Sequence, residues 1–464
     1  MHATTAGSAA SGVKKSDGRL DIIEPAVHSC SRRRANVACR NIAAGRTGGN
    51  RPIARLLLRP APVRTNILPM LTRRRFMEVV GAGSLGAFGA PAFITARGAE
   101  ALRGEWPDGR APAGPWSEDV IAANRRVAPS AIRLDSNENP NGPGRAALDA
   151  IRGAFGESAR YPDNPSNELR DAIARSHGVS PDNVVLGCGS GDLLRMAALA
   201  FTSPSRALVT GAPTFEDPTR YAESVGAWVR AVPVDADLKL DLAAMLARVP
   251  GAGLIFLCNP NNPTATVHSA SAVKDFVLRA RAAEPGAIVL VDEAYHEYVE
   301  DAGYATAIPL ALERPEVVVV RTFSKVFGMA GLRIGYAIAR PETLERMRRH
   351  RLGNPANVLG ATAALASLTD RAHIDRERTL NREARDFTRR AMESMGFKVG
   401  PSETNFVMVD VRRDSREFQA ACRQHDILVG RPFPPLVSQA RISIGTMEEM
   451  RQAVDVFRRV LRAT

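Results

Sequence analysis

The sequence predicts an α/β protein, with a large domain built on a mostly parallel sheet and a smaller α+β domain at the C-terminus. Three observations carry this reading. At 464 residues the chain exceeds what one small core organises. Short β-branched or apolar runs at 184–186, 207–209, 254–257, 288–291, 317–320 and 334–339 alternate with helical patterns, as in a parallel sheet covered by helices on both faces. After about residue 352 the pattern changes to a long charged helical stretch reaching 394, then strand candidates at 406–411 and 441–444 and a terminal helix.

The chain begins with a leader. Residues 1–101 hold 16 Lys+Arg against 5 Asp+Glu, leaving 46 against 44 for the remainder, so the net charge of +13 belongs almost wholly to the leader. Nucleic-acid binding by the folded part thereby loses its electrostatic support. Residues 1–69, rich in Arg, Ala, Gly and Pro without apolar periodicity, read as disordered, or as untranslated if Met70 is the start. Residues 70–101 contain Arg73-Arg74-Arg75-Phe76, a Gly/Ala-rich apolar stretch at 79–96, and Ala99-Glu100-Ala101.

That segment resembles a twin-arginine export signal with a small-x-small cleavage site. The resemblance implies the twin-arginine (Tat) export machinery as a partner and a periplasmic or otherwise exported protein, with a cytoplasmic location as the alternative. Four glycines in the apolar stretch make it marginal as a membrane span, which favours cleavage over anchoring.

The body divides into 102–160 as an N-terminal arm and part of the small domain, 161–350 as the large domain, and 351–464 as the C-terminal small domain. In the large domain Leu193, Leu194, Ala197, Ala198 and Phe201 recur at helical spacing. A second helix is expected over 167–176, with Leu169, Ala172 and Ile173 inward. Of the cysteines, Cys30 and Cys39 lie in the leader, and Cys188, Cys258 and Cys422 are widely spaced in the body. No CxxC or Cys/His ligand spacing occurs, so neither a metal site nor a disulfide framework is expected.

In open α/β sheets ligands sit beyond the carboxyl ends of the strands, and here the polar residues collect at such ends. Gly187-Cys188-Gly189-Ser190-Gly191 follows the first run and opens a helix. Asn259-Pro260-Asn261-Asn262-Pro263-Thr264 follows the third, Asp292-Glu293-Ala294-Tyr295 the fourth, and Thr322-Phe323-Ser324-Lys325 the fifth, with Arg333 eight residues on. Each stretch alone is a common turn or cap; together they supply an anion cradle, a buried acid and a lysine in one order.

With Asn137-Glu138-Asn139-Pro140, Tyr161-Pro162-Asp163, Gly331-Leu332-Arg333, Ser402-Glu403-Thr404-Asn405-Phe406 and Arg441-Ile442-Ser443-Ile444-Gly445-Thr446, the series resembles the fold-type-I aminotransferases that depend on pyridoxal 5'-phosphate (PLP). Within them it is similar to the histidinol-phosphate aminotransferase branch, over about residues 134–447.

The resemblance implies that Lys325 carries the cofactor as a Schiff base and shuttles the proton of the substrate α-carbon. Asp292 would pair with the pyridine nitrogen, Tyr295 and Asn262 would bond the ring's 3' oxygen, and Phe215 would stack on the ring. Gly189, Ser190 and Gly191 would bind the phosphate through a helix start, with Thr322, Ser324 and Arg333 adding hydroxyl and charged donors. Tyr161 would reach the phosphate bound by a partner subunit, making a homodimer with shared sites. Arg441 would hold the substrate carboxylate, with Asn405 beside it and Arg431 available for a distal acidic group. The reaction implied moves an amino group from an amino acid or amino-alcohol phosphate to a 2-oxo acid.

The chain departs from the branch at Ile427-Leu428-Val429-Gly430-Arg431, where the positive charge falls one residue later than usual, so the resemblance does not by itself name histidinol phosphate as substrate. Ala265 also replaces a common glycine, and Gly191-Asp192 stands where Asp-Glu is commoner. Two alternatives remain open. One is a decarboxylase of the same fold resembling threonine-phosphate decarboxylase. The other is a non-catalytic PLP-binding sensor, which would need a basic helix-turn-helix ahead of this domain.

Overall fold

The computed structural model describes residues 130–462. The expected disordered leader, the export signal and most of the N-terminal arm lie outside the described residues. The first strand, β1 (Ile132–Leu134), precedes a seven-stranded sheet made by β2 (Val184–Cys188), β3 (Ala207–Ala212), β4 (Val229–Pro233), β5 (Ala252–Cys258), β6 (Ile288–Asp292), β7 (Val317–Thr322) and β8 (Ile334–Ala339). Their order is β2-β8-β7-β6-β5-β3-β4. β8 runs antiparallel to both neighbours and the remaining pairings are parallel.

The strands read as continuous apolar runs because both faces of the sheet are covered. Leu254, Phe256, Leu290 and Val318 pack on one side, and Ile255, Val289 and Val319 on the other. β4, which the apolar runs did not announce, is an edge strand with only Val232 fully buried. Helix Gly189–Phe201 buries the five apolar residues that gave it away. The helix expected over 167–176 spans Asp163–His177 and buries Ala174 rather than Ala172, ending on left-handed Gly178 at φ 66°.

The long helical stretch after 352 is two helices, Val358–Ser367 and Arg371–Ser394. The break falls where the Asp370 side chain accepts the amide of His373 and caps the second. Beyond them β9 (Lys398–Val399), β10 (Phe406–Asp410) and β12 (Gln439–Ser443) form an antiparallel sheet with β10 in the middle, while β11 (Ile427–Val429) pairs in parallel with β1. Leu134 of β1 shares a core with Val407, Phe418, Ile442 and Phe457. β1 therefore belongs to this smaller unit, and the residues just after it cross to the carboxyl ends of the large sheet.

Candidate active site

At those ends lies a cavity of about 690 Å³. Its floor is made by Cys258 and Asp292, the last residues of β5 and β6, with Thr322 at the end of β7 and Ser324 and Lys325 just beyond. Ser190 and Gly191 enter from the first turn of helix Gly189–Phe201, and Phe215 from the loop after β3. Arg431 and Arg441 close it from the smaller unit.

One end is an anion cradle. The first amides of a helix have no intrahelical acceptor and carry the positive end of its dipole. Gly189 does not line the cavity itself, but its φ of 72° turns the chain into the helix, and a Cβ there would collide with the Arg333 guanidinium. Arg333 is itself left-handed at φ 56°, a conformation that persists only where the surroundings impose it. Its guanidinium donates to the Ser324 hydroxyl at 3.4 Å and to the Ala330 carbonyl at 3.0 Å. Thr322 donates its hydroxyl proton to Ser324 at 2.8 Å. Three elements thus bring amides, hydroxyls and a cation to one place.

At the centre Asp292 is buried, accepts the Ala294 amide at 3.1 Å, and has no ion-pair partner among the described residues. Burial pushes its pKa up to about 7. Burial likewise lowers Lys325 from the ordinary 10.5 to about 8, so the neutral amine becomes accessible near physiological pH although the protonated form still predominates. Lys325 donates to the Asn137 carbonyl at 3.0 Å. Asn137, left-handed at φ 54°, also donates its side-chain amide to the Tyr295 hydroxyl at 3.1 Å and its backbone amide to Ser443 at 2.9 Å. Asn137 is thus the hub tying the lysine, the tyrosine and the small unit together. Its motif was visible in the sequence, but nothing there assigned it this task.

At the other end Arg441 donates to the Asn262 side-chain oxygen at 2.7 Å and to the Asp135 carbonyl at 2.6 Å, while its Nε is buried without a partner. Burial lowers its pKa to about 10, which leaves it charged at neutral pH. Gly430 is required beside it, since a Cβ there would come within 2.8 Å of the Arg441 carbonyl and 3.2 Å of its Nε. In this structure residue 430 packs so closely on Arg441 that a side chain there would require one of the two to shift.

Besides Gly189, two expected site residues fall outside the cavity lining. Asn405 does not line the cavity; it donates to the carbonyls of Asn137 and Glu138 at 3.0 and 3.2 Å and so supports the segment that does. Tyr161 is 80% exposed and also does not line it. Glu216, Asp217, Gln419 and Arg423 line the cavity and were not anticipated. Glu216 and Asp217 stand at the start of helix Asp217–Ser224, and Gln419 and Arg423 in the middle and at the end of helix Ser415–Arg423; none belongs to a motif, and only the fold gathers them.

Residues 129–457 match the family of class I and II aminotransferases. The chain is 36% identical over 334 residues to a histidinol-phosphate aminotransferase of Moorella thermoacetica, covering 71% of this chain and 85% of that one. It is also 36% identical over 328 residues to an aromatic amino acid aminotransferase of Nocardia farcinica, covering 70% and 90%. Among solved structures it is similar to the Sinorhizobium meliloti histidinol-phosphate aminotransferase in complex with pyridoxal-5'-phosphate. That match has a TM-score of 0.67 and 29% identity, over 74% of this chain and 96% of the other. The chain belongs to the class I and II aminotransferase family.

Proposed function

We propose that this aminotransferase holds PLP at Lys325 and moves the amino group of an amino acid, or of an amino-alcohol phosphate, to a 2-oxo acid. The observation that carries the reading is a buried acid without an ion-pair partner among the described residues, together with a buried lysine whose pKa is lowered to about 8, in a cavity that ends in an anion cradle. The donor set suits the cofactor. A protonated ring nitrogen would give Asp292 the cationic partner that it lacks. Ser190, Gly191, Thr322, Ser324 and Arg333 would hold the phosphate, Tyr295 and Asn262 the 3' oxygen, and Phe215 one face of the ring. When bound, PLP supplies an electron-accepting ring conjugated to the substrate nitrogen. Lys325 holds the cofactor and then takes the proton from the substrate α-carbon, and Arg441 fixes the substrate so that this proton faces the lysine.

Incubation with an amino donor and 2-oxoglutarate should yield keto acid and glutamate in equal amounts; release of carbon dioxide without glutamate would replace this reading with decarboxylation. The Arg441→Ala variant should lose roughly 2 to 4 kcal/mol of transition-state stabilisation in kcat/KM, the range for removing one partner of a buried charge-assisted pair. A loss under threefold would place the carboxylate elsewhere.

Asp292 also gives a pH-dependent result in the cofactor-free protein. Its folded pKa of about 7 lies above the ordinary 3.8, so the stability it confers is present below that lower value and is lost as pH rises through 7. Cofactor-free Asp292→Asn should therefore unfold at a higher temperature than the parent at pH 8, with the gap closing towards pH 4. A gap independent of pH would show that the carboxyl does not titrate in this window.

Two further readings belong to this proposal. The exposure of Tyr161 and its distance from the cavity of its own chain suit a homodimer in which it completes the partner's phosphate site. The Arg-Arg-Arg-Phe segment and the Ala-Glu-Ala that follows support export by the twin-arginine machinery, hence a periplasmic or exported enzyme.

A further inference from the structure

The substrate end of the cavity holds two arginines in different states. Arg441 bonds a side-chain amide oxygen and a backbone carbonyl and, among the described residues, faces no carboxylate within ion-pair distance. Arg431, two residues beyond β11, pairs through Nη2 with Glu216 Oε2 at 2.6 Å. Glu216 comes from the other side of the cavity, immediately before helix Asp217–Ser224. Both partners are about half exposed and both line the cavity. The Phe433 ring lies against both cations, with the Arg431 guanidinium 4.4 Å and the Arg441 guanidinium 4.9 Å from its centroid. The ring thereby fixes the two charges relative to each other. Next to them Asp217 is engaged with Arg220 rather than with Arg431.

We propose that Glu216 sets substrate selectivity by occupying Arg431 until a substrate carrying a second anionic group takes its place. This rests on the reading of Arg441 as the carboxylate anchor. An exposed pair of this kind is weak and exchanges readily, so a distal carboxylate or phosphate competes with Glu216 for the guanidinium. A substrate with a neutral side chain leaves the pair closed and meets Phe433 and Leu428 beside it. Glu216 penalises the dianion twice, by masking its partner and by repelling it, and this narrows the preference that Arg431 alone would impose. One site can thus take both acidic and neutral side chains.

The test is calorimetric titration of the PLP-loaded protein with two unreactive acids, maleate with two carboxylates and 3-phenylpropanoate with one. Glu216→Gln should tighten maleate relative to 3-phenylpropanoate by about fivefold or more, and Arg431→Met should shift the ratio the other way. In the double variant most of the gain from Glu216→Gln should be lost, because the guanidinium it frees is gone. Glu216→Asp, which keeps the charge, should resemble the parent. Normal binding of 3-phenylpropanoate with a maleate ratio within twofold of the parent in Glu216→Gln would overturn the role of Glu216 and leave the Arg441 anchor standing. Binding of neither acid to the parent would overturn both.

Discussion

Lys325→Ala is expected to lower kcat by about 10⁴-fold or more without unfolding the protein, the upper range for a positioned side chain that serves as both nucleophile and base. The amine is suited to both tasks. Burial brings its pKa to about 8, and the bond to the Asn137 carbonyl at 3.0 Å holds it at the end of β7 above Asp292. No other lysine among the described residues can substitute, because Lys239, Lys274 and Lys398 do not line the cavity. Steady-state and single-turnover kinetics on the variant, with thermal unfolding as the control for folding, check this. A kcat within tenfold of the parent would remove Lys325 from the chemistry.

Asp292→Asn should retain the cofactor yet lose about 10²- to 10³-fold in kcat, the range for removing one preorganised electrostatic partner of developing charge. Retention follows because the cradle of Ser190, Gly191, Thr322, Ser324 and Arg333 does not depend on this residue. The loss follows because an amide would not hold a proton on the ring nitrogen as a carboxylate would, which would leave the bound cofactor a poorer electron acceptor. The paired measurements are cofactor absorbance after gel filtration and the rate of keto-acid formation. Near-normal turnover with cofactor bound would assign the role to another group.

The floor of the site was legible in the sequence because a strand buried on both faces writes itself as an unbroken apolar run. Once 288–291 and 317–320 are read as parallel strands, Asp292, Ser324 and Lys325 fall at their carboxyl ends by geometry alone. Arg441 came from the resemblance, and its functional setting depends on Gly430, whose missing Cβ is a packing fact invisible in one chain of letters. The edge strand β4 escaped because water on its outer side breaks the apolar run. Asn405 was expected at the substrate from the resemblance alone. Instead its side chain bonds the backbone of Asn137 and Glu138, one layer behind the cavity. Glu216 and Arg431 lie 215 positions apart and meet only in the folded chain, so no local pattern could have paired them.

Covalent trapping shows which lysine of this chain carries the cofactor. Borohydride treatment of the purified, PLP-loaded protein followed by proteolysis and mass spectrometry should place a single reduced pyridoxyl-phosphate adduct on the peptide containing Ser324-Lys325. An adduct on Lys239, Lys274 or Lys398 instead, or no adduct on a protein that nonetheless turns over amino acids, would contradict the account.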